Sequence, residues 1–181
     1  SKELCQQCEE QELKYTISRI SRISKQWRVA IVYLLNFIPE IISSLIFIRN
    51  NQYDIVYVCG GSWQYKGVIA GKLAGKKVLW HLNDTYVPLI FRKVFSLFSS
   101  LADGYIHASD RTKIYYRPCI KLGKPEIVIP SPVDTEMFDP SYHYDGDEEL
   151  LDRWFGKTVL GTICNVNPIK GLETFILAAS V

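Results

Sequence analysis

Four short apolar runs, separated by stretches of helical pattern, punctuate the middle of this chain. Tyr53–Cys59 reads YDIVYVC, Lys77–Leu82 reads KVLWHL, Gly104–Ala108 reads GYIHA and Glu126–Ile129 reads EIVI. The first two are rich in β-branched and aromatic residues, which suit a pleated, buried strand. Between the runs lie a segment from Ser62 to about Gly75, residues 88–101 opened by Pro88, and a segment from Ser109 to about Arg117. Ser62 and Ser109 suit helix N-caps, and Gly75 suits the C′ position. Strand and helix in strict alternation predict an α/β fold, a Rossmann-like parallel sheet with helices on both faces.

Upstream, Val29–Ile48 has about the length of a membrane span. Asn36, Pro39, Glu40, Ser43 and Ser44 interrupt it, however, while Ile31, Leu34, Ile38, Ile41, Leu45 and Ile48 step by three and four along one face. One apolar stripe predicts a helix packed on a core. Pro39 should kink it or begin a second helix. Lys25, Trp27 and Arg28 keep peripheral contact with a bilayer open.

The balance of 21 basic and 19 acidic residues, a net charge of +2, argues against nucleic acid as the main partner. The polar opening SKELCQQCEEQELK is no signal peptide, and five cysteines, most in apolar runs, suit a reducing compartment. Together these point to a cytoplasmic protein, peripheral at most to the inner face of a membrane. Cys5 and Cys8 form one Cys-x-x-Cys with no second pair or histidine cluster, so no metal is expected there. A chain that opens on this polar stretch, without an initiator Met or a first strand, reads as cut at its start; it also stops inside a helical pattern.

The prolines 130, 132 and 140 and the acidic stretch Asp145–Glu149 end the alternation. A linker is expected over 141–156, separating a first domain, 1–140, from the start of a second, 157–181. In that second part Thr158–Cys164 reads as a strand, Asn167 and Pro168 as an N-cap and first helical residue, and Leu172, Phe175, Ile176 and Ala179 as one helix face. Such an arrangement brings Lys170 to the mouth of a parallel sheet beside a helix start, where anions bind.

Candidate chemistry gathers where strands end. His81 closes a strand, and an imidazole there can hydrogen-bond a sugar hydroxyl or phosphate; a satisfied core histidine is the plainer alternative. Asp84 can accept from hydroxyls, hold His81, or cap the next turn. Gly60 and Gly61 permit close backbone approach to a ligand, or simply a tight turn. Neither Gly-x-Gly-x-x-Gly nor a Walker loop is present. Ser109 stands at a strand-to-helix corner, where capping is its expected job. Lys170 offers a point charge to phosphate.

In order and spacing these pieces resemble a known family. IVIPSPVDTEMFDP (Ile127–Pro140) is similar to the I-P-N-G-V-D-x-x-x-F-x-P segment of GT-B glycosyltransferases, notably glycosyltransferase family 4. GTICNVNPIKGLETFILAA resembles the opening of that family's C-terminal domain, G-R-L-x-x-x-K-G-x-x-x-L-I-x-A. YDIVYVCGG, KVLWHLND and HASDRTKIYY resemble its intervening strands and corners. The resemblance implies two Rossmann-like domains and a retaining transfer of a sugar, of hexosyltransferase type, from a nucleotide sugar to a saccharide or lipid-linked acceptor, without a cofactor or metal. Polysaccharide or glycolipid assembly at the cell envelope is the expected setting.

The resemblance also implies roles. Lys170 would sit on the donor diphosphate, His81 near donor sugar and acceptor, and Gly60, Gly61 and Ser62 in the acceptor-side loop. The family's arginine beside that lysine is Asn165 here, which offers a hydrogen bond without charge. The first strand with its glycine-rich loop and most of the second domain have no counterpart, so residues 1–181 alone are expected to be inactive. Two alternatives stand: a non-catalytic Rossmann-like binding module, favoured by Asn165, and a GT-B nucleotide-sugar epimerase, which would need acid and base carboxylates not identifiable here.

Overall fold

The computed structural model describes residues 2–23, 26–136, 138–139, 141, 152–166 and 170–179. The chain divides into two compact units, Ser1–Pro132 and Val133–Val181. Most of 141–156, expected to be a linker, lies outside the described residues, as do Asn167 and Pro168.

The first unit is α/β. Helices α1 (Lys2–Glu10), α2 (Trp27–Leu35) and α3 (Phe37–Asn50) precede the sheet. Then follow β1 (Ile55–Val58), α4 (Tyr65–Leu73), β2 (Lys77–Leu82), α5 (Leu89–Ser99), β3 (Gly104–His107), α6 (Asp110–Tyr116) and β4 (Glu126–Val128). All three strand pairings are parallel, and the spatial order is the chain order, β1-β2-β3-β4.

Parallel crossovers are right-handed. When each steps to the next strand in the same direction, every crossover helix falls on one face. The packing follows this rule: Trp80 on β2 meets Tyr65 of α4 at 6.0 Å and Phe95 of α5 at 4.9 Å, and Phe95 meets Tyr116 of α6 at 4.8 Å. Val58, Val78, Leu82 and Tyr105 complete that buried layer. Alternate residues along the strands point the other way. Ile55, Tyr57 and Ile127 are exposed, and Leu79, His81 and Ile106 are half-buried. Helices on both faces were expected; among the described residues one face is covered, because no strand here steps in the opposite direction.

Helix boundaries follow local chemistry in two places. The Ser109 hydroxyl accepts from the Thr112 amide at 3.2 Å and caps α6. Gly75, at φ +74°, closes α4: its amide donates to Lys72 O at 3.0 Å, and the Lys76 amide to Gly71 O at 3.1 Å. These two bonds satisfy carbonyls the helix end would leave orphaned. Ser62 behaves otherwise. It does not cap α4, which begins three residues later; its hydroxyl donates to Asp84 at 3.2 Å.

The apolar stretch 29–48 is two helices, as one of the two expectations for Pro39 had it; the break falls at Asn36, three residues before the proline, with a 49° bend between α2 and α3. Proline has no amide hydrogen to give the carbonyl four residues back, Leu35, and its ring crowds that carbonyl. So α2 stops at Leu35 and Pro39 falls in the first turn of α3, where no intrahelical donor is needed. The bend divides the expected core stripe. Ile41 and Ile48 are buried and Leu45 half-buried against α4, but Ile31, Leu34 and Ile38 are exposed, and Tyr33 takes the buried position on α2.

Helix α4 lies close to the sheet because it carries glycine where it touches. A Cβ on Gly71 would stand 2.9 Å from Val78 Cγ2 and 3.0 Å from Val56 Cβ, and one on Gly67 3.3 Å from Val58 Cγ2. Gly71→Ala should therefore cost about 1–3 kcal/mol from overpacking, more than the roughly 1 kcal/mol of helix propensity it gains. Urea unfolding checks this, and a stabilised variant would show that the helix can lift without loss.

In the second unit, Thr158–Cys164 forms no strand, and Val159, Leu160 and Ile163 are exposed. The expected strand needs a neighbour to take its amides and carbonyls, and no second strand exists among that unit's described residues. The expected helix is present as α7 (Leu172–Ala179), with Leu172 and Phe175 half-buried and Ile176 and Ala179 exposed.

Candidate functional site

The C-terminal edge of the sheet gathers two side-chain clusters. One is built on the open face. Tyr57 on β1 pairs with Leu79 on β2, and His81 lies two residues further along the same face. The Tyr57 hydroxyl reaches His81 Nδ1 at 2.5 Å, and the Cys59 thiol stands 3.5 Å from the same nitrogen. Burial, then the neighbouring thiol, raises the Tyr57 pKa, so the phenol keeps its proton. With Nδ1 engaged, His81 Nε2 is left buried and without a hydrogen-bond partner among the described residues. A buried ring nitrogen of this kind can donate to or accept from a ligand hydroxyl.

The second cluster centres on Asp84. Its Oδ2 accepts from Ser62 Oγ at 3.2 Å and Trp63 Nε1 at 3.1 Å, and its Oδ1 from Tyr116 OH at 2.6 Å. Gly60 and Gly61, at φ +120° and +90°, make the turn that brings Ser62 here. A Cβ on Gly61 would stand 2.9 Å from Asn83 Oδ1 and 3.0 Å from Asp84 Oδ2, so only glycine fits against these side chains. The turn is pinned to β2 from both sides: the Gly61 amide donates to His81 O at 3.3 Å, and Trp80 Nε1 donates to Gly61 O at 3.0 Å.

Gly60, Gly61, Ser62, Asp84 and His81 thus meet at one sheet edge. Asp84 does not hold His81, as one expectation had it; its oxygens are taken by three donors, and Tyr57 orients the imidazole instead. Ser109 occupies the β3–α6 corner, where its hydroxyl is engaged in capping and in a 3.0 Å contact with Thr112 Oγ1. Asn165 and Lys170 belong to the second unit; both are exposed, and Lys170 precedes α7 by two residues. Among the described residues, no group of three or more His, Cys, Asp or Glu side chains could hold a metal ion.

The sequence reading missed Tyr57, Cys59, Trp63 and Tyr116. Period-two alternation places Tyr57 and Cys59 on one strand face, and that signal was available. Which partner they face depends on the β1–β2 register, which a lone strand does not reveal. The chain matches no protein-family model, and no curated protein matches it significantly.

Proposed function

We propose that this chain is part of a retaining glycosyltransferase of the GT-B type, moving a sugar from a nucleotide-sugar donor to an acceptor hydroxyl. The observation that supports it most is the sheet edge itself: the Gly60–Gly61 turn after β1 and His81 at the end of β2, side by side in a parallel α/β sheet. Ligands of open parallel sheets bind beyond the carboxyl ends of the strands. In this reading Nε2 of His81 bonds a hydroxyl of donor sugar or acceptor, and the Gly60–Gly61–Ser62 turn offers backbone to the acceptor. Lys170, with Asn165 near it in sequence, neutralises the departing diphosphate, where negative charge grows in the transition state. The reaction as proposed uses no metal and no cofactor.

A polypeptide that carries this chain with a complete second domain provides the test. Lys170→Ala should lower transfer about 100-fold or more, the scale of losing one preorganised electrostatic contact, with the thermal midpoint unchanged. Retained activity would defeat the role given to Lys170. Residues 1–181 alone should transfer no sugar to any acceptor. A second reading, a Rossmann-like binding module without catalysis, draws on Asn165 in place of the family arginine and on the missing strand at 158–164. It requires nucleotide sugars to stabilise the longer polypeptide against heat while no product forms.

A further inference from the structure

We propose that Cys59 is a nucleophilic thiol, its proton removed by His81 through the Tyr57 hydroxyl, and that it forms reversible mixed disulfides with low-molecular-weight disulfides. This thiol chemistry does not depend on the transferase reading. Tyr57 pairs with Leu79 and Val58 with Trp80, so Cys59 falls abreast of His81 where the two strands end. Period-two alternation puts Tyr57, Cys59 and His81 on the open sheet face. The turn that follows fixes their spacing, because the Gly61 amide donates to His81 O at 3.3 Å and ties the end of β1 to β2.

Three groups share one short proton path. The Cys59 sulfur stands 3.5 Å from Nδ1 and is hydrogen-bonded to the Tyr57 hydroxyl, which itself lies 2.5 Å from Nδ1. The two rings are 5.9 Å apart and tilted by 43°, which holds the imidazole against the phenol. Because the phenol keeps its proton, Nδ1 is the accepting nitrogen. A cysteine with such a base beside it is an activated nucleophile. The neighbouring groups leave the imidazole free for this role. Ile106, abreast of His81 on β3, is apolar. Asp84 is taken up by its three donors, and His107 is buried on the helix-covered face.

Access separates Cys59 from the other cysteines. It is exposed, whereas Cys5, Cys8, Cys119 and Cys164 are half-buried. Cys119 has a cation beside it, with Arg92 Nε 3.2 Å from its sulfur, but a guanidinium has no nitrogen that can take a proton. In the step itself the thiol proton passes to the Tyr57 oxygen as the phenol proton passes to Nδ1. The Cys59 sulfur attacks one sulfur of the small disulfide; a new S–S bond forms, the old one breaks, and the departing thiolate takes the proton from the imidazolium. Cys59 is oxidised, half of the small disulfide leaves reduced as a thiol, and excess thiol runs the exchange backwards.

Glutathione disulfide added to residues 1–181 at about pH 7 tests this, with the adducts located by peptide mass spectrometry. Cys59 should react about tenfold faster than any other cysteine, and excess dithiothreitol should restore it. An ordinary thiol is about 3% ionised at pH 7, so activation has a ceiling of roughly 30-fold, and Tyr57→Phe and His81→Gln should each slow the reaction about tenfold. At about pH 9.5 an ordinary thiol ionises unaided, and the wild type and both variants should then react within about twofold of one another. Tyr57→Phe keeps the ring, so its thermal unfolding should match the wild type even if His81→Gln is less stable. Three results would overturn the proposal: adducts that form first on Cys119 or evenly over all five cysteines, variants as fast as the wild type at pH 7, or a gap that persists at pH 9.5, which would mean altered access and not proton removal.

Discussion

Glu40→Ala should cost about 3–5 kcal/mol of folding stability, the range for breaking one side of a buried ion pair. Lys66 is 4% exposed, and its ammonium lies 3.9 Å from the Tyr33 ring centre and 5.7 Å from that of Phe37. With the carboxylate gone it keeps Ser21 and the aromatic faces but loses its counter-charge. Glu40→Ala combined with Lys66→Met should recover most of the loss, since an apolar side chain of similar length suits the same surroundings. Urea unfolding of the two single variants and the double variant gives the coupling energy; near-zero coupling would show that the pair stabilises nothing.

The same residue sets a pH dependence. Burial pushes the Glu40 carboxyl up, but its bonds to Lys66 and Ser21 outweigh burial and hold it below the ordinary value of 4.5. A carboxyl depressed in the folded state stabilises fully above its unfolded pKa, and that contribution is lost as pH falls through the folded one. Wild-type protein should therefore lose stability in acid below about pH 4.5 more steeply than Glu40→Ala. Because Ser21 hangs on this pair, the variant should also be cut faster by trypsin after Arg19 and Arg22. Unchanged cleavage would mean the segment is held by other contacts.

Asp84→Ala should cost about 3 kcal/mol, because three donors lose one acceptor at once and each stranded buried donor costs about 1–3 kcal/mol. Tyr116 and Ser62 are fully buried, so neither can turn to water. Burial, and then Asp84, raises the Tyr116 pKa, and the phenol stays a donor at any physiological pH. The thermal midpoint should fall by about 10 °C. Asp84→Asn, which keeps one carbonyl oxygen, should lose less. If Asp84 were only a ligand group on a surface loop, removal would leave the midpoint within about 1–2 °C. The carboxylate is thus expected to shape the site by holding the Gly60–Gly61–Ser62 turn against α6, and a role toward substrate has to be read from activity at a temperature where the variant is folded.

Much of the first unit was legible residue by residue. KVLWHL is a strand over its full predicted length, Ser109 caps the helix it was expected to cap, and Gly75 ends α4 as its position implied. These features depend on neighbours within a few residues, so local pattern suffices. The failures share a different cause. Thr158–Cys164 has strand composition, but strand formation needs a partner the pattern cannot supply. Ser62 had the right residue type for a cap, yet an aspartate 22 positions away offered a better acceptor.

The sequence by itself determined that strands and helices alternate, that the sheet is parallel, and where most elements begin and end, because turn chemistry and side-chain period act over one or two turns of chain. Only the tertiary structure decided that one sheet face stays open, that Tyr57 and not Asp84 orients His81, and that the Ser62 hydroxyl goes to Asp84 and not to a helix end. Each of these rests on contacts between residues far apart in sequence or on the path of the backbone in space. Strand register and the direction of each crossover set both, and no short window of residues encodes either.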